Sequence, residues 1–338
     1  MEELSGTVLA GESFEPVSGR VVVEGGRIEA VEETNTASTD IVVPAFVNAH
    51  THLGDSVAKE AAVGLSLDEA VAPPDSLKHR RLAAADHAEL VSAMRRTLRF
   101  MRRTGTVSTL DFRESGTAGA RALREAAEGV GVDPFIFGSD EPSVLDVADG
   151  YGASGANDDD FAAERAACEE RGRPFAIHAG EPDATDIHPA LDLDPDLLVH
   201  MVHAGEKHLE RVAAESVPVA VCPRANEVLG VGTPPVRELL DHTKVALGTD
   251  NVMLNEPSML REMAYAAKRF DVSATEVLRM ATAAGAEIAG LDCGVIEPGR
   301  RAALVVFDGD SDNLSGTADP VRAVVRRATA LDIDRVIV

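Results

Sequence analysis

Short apolar runs that end in polar residues alternate with amphipathic helical stretches from residue 44 to residue 291. This alternation predicts an α/β chain, a (β/α)8 barrel of the TIM type in which eight strand–helix units close a parallel sheet. Strand texture at both ends predicts a small β-sandwich domain formed from the two termini, residues 1–43 and 292–338, beside a barrel of residues 44–291. The length fits: 338 residues with 45% hydrophobic content suffice for one large domain and a small satellite.

The elements follow in order. Runs at 7–10 and 19–24 precede Gly25, Gly26 and a third run at 27–31, which together signal a hairpin. A further apolar run, 41–47, leads into His50. One helix is marked by Asp86 and Glu89 as a capping pair, with Leu90, Val91, Met94, Leu98 and Met101 on one face and Gly105 past its end. Another is expected to run from the Ser273–Glu276 capping box to Gly290. The apolar runs 107–110, 134–137, 175–177, 197–199, 217–221 and 245–247 are the expected inner strands, and residues 149–160, rich in Gly, Ala and Asp, an expected loop. Strand texture returns at 294–296, 302–307 and 335–338.

Charge narrows the partners. Thirty-two basic residues, only five of them lysine, face fifty-seven acidic ones and leave a formal charge of −25. Such a field repels phosphate backbones, and no basic stripe offsets it, so nucleic acid is excluded. Nothing reaches the ~18 to 20 apolar residues of a membrane span. The first thirty residues lack a basic n-region, so a cytoplasmic protein without a secretory signal is expected. Asp-rich, Lys-poor composition is what high intracellular salt permits, and a halophilic cytoplasm is the expectation. Cys168, Cys222 and Cys293 are odd in number and far apart, which suits neither a disulfide framework nor a Cys-x-x-Cys zinc motif; buried thiols are expected. The expected partner is a small-molecule substrate, and association as a homodimer is left open.

Three of the expected strands end in histidine. IVVPAFVNAHTHL puts His50 and His52 two apart at a strand end, where both rings point to one side. FAIHAGE ends in His178, LLVHMVHAGE in His200 with His203 further on, and VALGTDN in Asp250. Strand ends of a parallel barrel converge on one pocket, and imidazoles with one carboxylate suit zinc or another first-row divalent ion with a position open for water. The remaining histidines, His79, His87, His188, His208 and His242, lack that setting and read as surface or structural.

The same residues carry a resemblance. VVPAFVNAHTHL resembles the first-strand signature of the amidohydrolase superfamily, the metal-dependent (β/α)8 hydrolases and deaminases. VAVCPRANEVLGVGTPPVRELLDHTKVALGTDN is similar to their seventh and eighth strands, and EPGRRAALVVFD to the entry of their C-terminal β-sandwich. Within the superfamily the chain looks most like the branch of the cytosine, guanine, adenosylhomocysteine and triazine deaminases and chlorohydrolases. The resemblance implies one divalent metal ion, zinc or alternatively iron, held by His50, His52, His178 and Asp250. Binuclear relatives bridge two ions with a carbamylated lysine on the fourth strand, and this chain has no lysine between Lys78 and Lys207, so a mononuclear site is expected.

Glu181 follows His178 as His-x-x-Glu, the spacing of the deaminase branch, and is the expected proton shuttle between water and substrate. By resemblance His200 hydrogen-bonds the water or the tetrahedral centre, while Asp250 both ligates and accepts a proton. His203 is the rival to His200, which directly follows its apolar run. The chain is shorter than most relatives, Arg224 stands where many carry a small or hydroxyl residue, and Ala303 replaces the usual Asp of ALVVFD. Segments 73–81 and 111–114 are expected to line the pocket. Arg113 and Arg224 are candidates to clamp a substrate carboxylate or phosphate, with structural ion pairs as the alternative. The expected reaction is hydrolytic deamination of an amino-substituted heterocycle or nucleoside-like metabolite. Hydrolysis of a cyclic amide or other C–N or C–X bond at the same site is the alternative, and a non-catalytic metal-binding relic the third.

Overall fold

Valine-rich segments from both ends of the chain meet in a six-stranded sheet, and the runs between them build a nine-stranded one. A computed structural model describes residues 1–72 and 75–338. In chain order the strands are β1 (Glu2–Ala10), β2 (Glu15–Glu24), β3 (Arg27–Glu33), β4 (Ile41–Pro44), β5 (Phe46–His52), β6 (Thr106–Arg113), β7 (Asp133–Gly138) and β8 (Gly150–Ala153). They continue with β9 (Phe175–Ala179), β10 (Leu197–His200), β11 (Val219–Val221), β12 (Val245–Leu247), β13 (Asp250–Asn251), β14 (Leu304–Phe307) and β15 (Ile333–Ile337). Two units divide the chain: Met1–Asn48 with Met101–Ser108 and Ser258–Val338, and Ala49–Phe100 with Thr109–Pro257.

In the first unit the order is β15-β14-β4-β1-β2-β3. β1, β2 and β3 form an antiparallel meander, β4 runs parallel to β1, and β14 joins β4 antiparallel. Period-two alternation turns Leu4, Val8, Val21, Val23, Val42, Leu304 and Val306 into one buried cluster. The helix expected across 273–290 is two, Ala274–Ala281 and Ala283–Ile288. Thr282 leaves helical geometry at φ −131 and ψ −88 and donates its hydroxyl to the Leu278 carbonyl, competing with the backbone ladder. Residues 294–296 form no strand: Gly294 sits at φ +93, where a Cβ would lie 2.9 Å from Ala283.

The second sheet runs β12-β11-β10-β9-β8-β7-β6-β5-β13. Its paired strands β7 to β12 are parallel, as are β13 and β5. β6 is buried along its whole length, as expected of a parallel strand covered on both faces. Within the expected loop at 149–160 lies the strand β8, GYGA. A Cβ at Gly152 would sit 2.7 Å from the Phe112 ring and one at Gly150 2.8 Å from Phe137, so these glycines make room for two core rings. The strands β12 and β13, at opposite ends of the sheet order, are separated in sequence only by Gly248 and Thr249. Gly248 N–H donates to Val221 of β11, and Thr249 N–H to His50 of β5.

The helix His87–Arg103 begins as expected, with Glu89 N–H donating to Asp86 Oδ1 at 2.8 Å. Val91, Met94, Leu98 and Met101 are buried. All three cysteines are free and buried. Among the described residues no helix is long and apolar enough to cross a membrane.

Candidate functional site

The carboxyl ends of β5, β9 and β10 and the start of β13 bring five predicted residues together. His50 Nε2 lies 3.3 Å and His52 Nε2 3.6 Å from Asp250 Oδ1. The His178 ring centre is 5.0 Å from that of His50 and 5.5 Å from that of His52. His200 approaches from β10, 5.3 Å from His178. His50, His52 and Asp250 offer ligand atoms within 4.8 Å of one another, and so do Glu181, His200 and Asp250. The backbone is left-handed at His200 (φ 78), Met201 (φ 56) and Asp250 (φ 59), which aims the side chains of His200 and Asp250.

Hydrogen bonds at the outer nitrogens determine which atoms face inward. His178 Nδ1 donates to the Ala153 carbonyl at 2.8 Å, so its Nε2 carries the lone pair. His52 Nδ1 lies 2.8 Å from Glu114 Oε1, 2.9 Å from Lys78 Nζ and 3.1 Å from the Phe112 carbonyl, and its Nε2 faces Asp250. His200 is oriented differently. Asn226, fully buried, holds its Nδ2 3.2 Å from Glu181 Oε1 and 3.1 Å from His200 Nδ1. A carboxylate needs a donor, so the amide points its NH2 this way and donates to Nδ1 as well. His200 therefore carries its proton on Nε2, which lies 3.6 Å from Glu181 Oε2.

Electrostatics favour the same assignment. Burial pushes His50 down to about 3 and His200 to about 4, and holds His178 well below its ordinary value, so these imidazoles stay neutral as ligation requires. Burial alone would raise Asp250, but the His50 bond and the neighbouring histidines keep it ionised. Glu181 moves the other way, raised well above the usual range by burial and by the Asp250 charge.

A second layer anchors these groups. Asp111 accepts from Thr51 Oγ1 at 3.0 Å and from Leu53 N–H at 2.6 Å, fastening the strand end that carries both histidines. Asp55 accepts from Asn251 Nδ2 at 2.9 Å and Met253 N–H at 3.2 Å, fastening the chain after Asp250. Glu114 pairs with Lys78 and Arg113, which together with His52 hold it well below the carboxylate range against the cost of burial.

The remaining candidates fall elsewhere. His203 is exposed. Arg113 is buried between Glu114 and Asp111, and Arg224 pairs with Glu256 at 3.0 Å. A cavity of ≈ 590 Å³ opens over the cluster. Of the segments expected to line it, Lys78, His79, Phe112 and Glu114 do, while Pro73 and Pro74 lie outside the described residues. His79, read from sequence as surface or structural, is thus part of the wall. Sequence reasoning did not single out Asn226 or Asp55. The available signal for Asn226 was its place one turn into the helix after a strand end.

The donor set fits a divalent cation: neutral imidazoles with Nε2 turned inward and one ionised carboxylate. Residues 41–338 match the family model of the amidohydrolases. A relative from Archaeoglobus fulgidus is 37% identical over 346 residues, covering 100% of this chain and 97% of its own. The 5-methylthioadenosine/S-adenosylhomocysteine deaminase of Haloarcula marismortui is 31% identical over 361 residues, covering 88% of this chain and 82% of its own. The crystal structure of atrazine chlorohydrolase from Arthrobacter aurescens TC1 complexed with zinc superposes with TM-score 0.82 at 20% identity, over 99% of this chain and 93% of that one.

Proposed function

Since the chain belongs to the amidohydrolase family, we propose that it hydrolyses a C–N bond by deaminating an amino-substituted heterocycle or nucleoside-like metabolite. The fold-level reading that goes with it is a closed eight-stranded barrel, in which β12 and β13 are one strand pairing first with β11 and then with β5; their separation by two residues supports it. The nearby deaminase and the zinc-bound chlorohydrolase support a hydrolytic centre of this kind.

One observation carries the reading: Glu181 and His200 stand side by side next to Asp250, with complementary protons. His50, His52, His178 and Asp250 would hold a single divalent ion, zinc by its suitability for such ligands. The ion would supply a water acidified towards neutrality and polarise the reacting centre. Glu181 would take a proton from the attacking water through one carboxylate oxygen and pass it to the ring nitrogen. His200, its proton held on Nε2 by Asn226, would hydrogen-bond the attacking oxygen at the tetrahedral centre. Asp250, ionised and aimed by the chain that Asp55 anchors, would take the second proton and return it to the amine, which leaves as ammonia.

Ammonia release measured across purines, pyrimidines, pterins and triazines, with wild type beside Glu181→Gln, tests this. The variant should lose roughly 10² to 10⁴ in turnover, the usual worth of general acid–base catalysis, while keeping its metal. If Glu181→Gln keeps full activity, the shuttle lies elsewhere; release of amide or halide hydrolysis products without ammonia would establish the alternative bond.

A further inference from the structure

We propose that Glu114 is a positioning residue for His52: it takes the Nδ1 proton in competition with Lys78 and so keeps the Nε2 lone pair free for the ion. This rests on the reading of His52 as a ligand. Groups from three elements converge on Nδ1. His52 closes β5, Glu114 directly follows β6, and Lys78 reaches in from the helix Leu77–Ala84. Glu114 Oε1 stands 2.8 Å from Nδ1, the Phe112 carbonyl 3.1 Å and Lys78 Nζ 2.9 Å. A carboxylate and a carbonyl only accept, whereas an ammonium only donates. A single ring nitrogen of a neutral imidazole cannot satisfy both kinds of neighbour.

The surroundings decide between them. If Lys78 donated to Nδ1, two oxygens would face a ring nitrogen with no proton to offer, lone pair against lone pair. If Nδ1 carries the proton, it donates to Glu114 Oε1, and Lys78 donates to the same oxygen. Arg113 engages the other oxygen, Oε2. Every N···O contact in the group then joins a donor to an acceptor. Lys78 is 4% and Arg113 2% exposed, and two buried cations on one carboxylate keep it charged, hence an acceptor. Lys78 thus plays two parts. Its charge supports Glu114, yet it is also the donor that would claim Nδ1 if Glu114 were gone. The ring proton would then move to Nε2, 3.6 Å from Asp250 Oδ1, and occupy the atom needed for ligation.

The test uses the full-length chain with its histidine ring nitrogens isotope-labelled for nuclear magnetic resonance, and zinc affinity read by competition with a chelator. In the ion-free wild type, its fold verified by circular dichroism, His52 should show the Nδ1–H pattern, assigned by its loss in His52→Gln. Glu114→Met leaves Lys78 as the close donor, so the pattern should change to Nε2–H and zinc affinity should fall roughly 10- to 100-fold. Lys78→Met keeps both acceptors and should retain Nδ1–H, with affinity within about threefold of wild type. The double variant Lys78→Met/Glu114→Met discriminates best. With the competing donor gone, the Phe112 carbonyl holds the proton, and about tenfold of the lost affinity should return. Loss of packing alone would instead make the double variant the weakest binder. An Nε2–H pattern in the wild type or in Lys78→Met, wild-type affinity in Glu114→Met, or a double variant that binds no better than Glu114→Met would each overturn the proposal. Should Glu114→Met not fold, the spectra of the wild type and Lys78→Met decide; should removal of the ion unfold the chain, the order of affinities decides. Wild-type protein that binds no zinc removes the metal reading, while the ion-free spectra still decide the tautomer.

Discussion

Asn226 offers the sharpest perturbation because a single amide aims two reactive groups. Asn226→Ala removes a donor 3.2 Å from Glu181 Oε1 and another 3.1 Å from His200 Nδ1. One of these bonds joins two neutral groups and the other a carboxyl, so together they are worth about 1.5 to 3 kcal/mol of orientation. If that orientation is expressed in the transition state, kcat/KM should fall roughly 10- to 100-fold. Metal content should not change, since Asn226 touches no ligand of the proposed ion. Asn226→Asp is the informative companion. Its carboxylate would face Glu181 with like charge and draw the His200 proton to Nδ1, converting the inward Nε2 from donor to acceptor. Activity should therefore fall further than in the alanine variant, and its pH profile should shift. Ammonia release and metal analysis on the two purified variants suffice. Wild-type activity in the alanine variant, or an aspartate variant as active as alanine, would refute the tautomer argument; loss of metal from both would recast Asn226 as part of the ion's support.

Protein purified without chelators should contain about one zinc or iron per chain, and His178→Ala should lose ion and activity together; two tightly bound ions would overturn the mononuclear reading. With a net charge of −25, the melting temperature should rise markedly from low to molar salt, and a salt-indifferent value would remove the halophilic reading. Asp332 accepts from Ser311 Oγ (2.7 Å), Asn313 Nδ2 (2.8 Å), and the N–H and hydroxyl of Thr329 (2.8 and 2.9 Å), which outweighs the cost of burial and lowers its pKa. Its stabilisation is thus complete above the unfolded value of about 4 and lost as pH falls through the lower folded one. Asp332→Ala should cost about 2 to 4 kcal/mol at neutral pH in denaturant unfolding, and should cost little once the wild-type carboxyl is protonated.

Much of this was legible because the inner strands are buried on both sides and announce themselves as short apolar runs, each ending at a reactive residue. His178 and His200 follow such runs directly, and His50, His52 and Asp250 lie a few residues beyond one. β8 was invisible for the opposite reason: Gly150 and Gly152 have no side chains to register as strand, since their contribution is space for Phe112 and Phe137. The break at Thr282 escaped because the apolar periodicity continues through it, and only a hydroxyl-to-carbonyl bond marks the stop. Lys78 and Glu114 lie 36 positions apart, and no sequence period links them; the fold joins them behind His52. Roles that depend on a second atom of a side chain, as with the two nitrogens of His200, need the partner's coordinates.

The meeting of β5 with β13 has one more consequence. His50 and His52 line one side of a seam whose other side carries Asp250, and across it the backbone contributes the Thr249 N–H to the His50 carbonyl. β13 is only two residues long, so this pairing has few ladder bonds of its own. An ion shared by His50, His52 and Asp250 would act as a clasp over that gap, bridging chain segments almost two hundred residues apart. Its binding free energy would then go into holding these two segments together as well as into chemistry, so that ion affinity and resistance to unfolding rise and fall together.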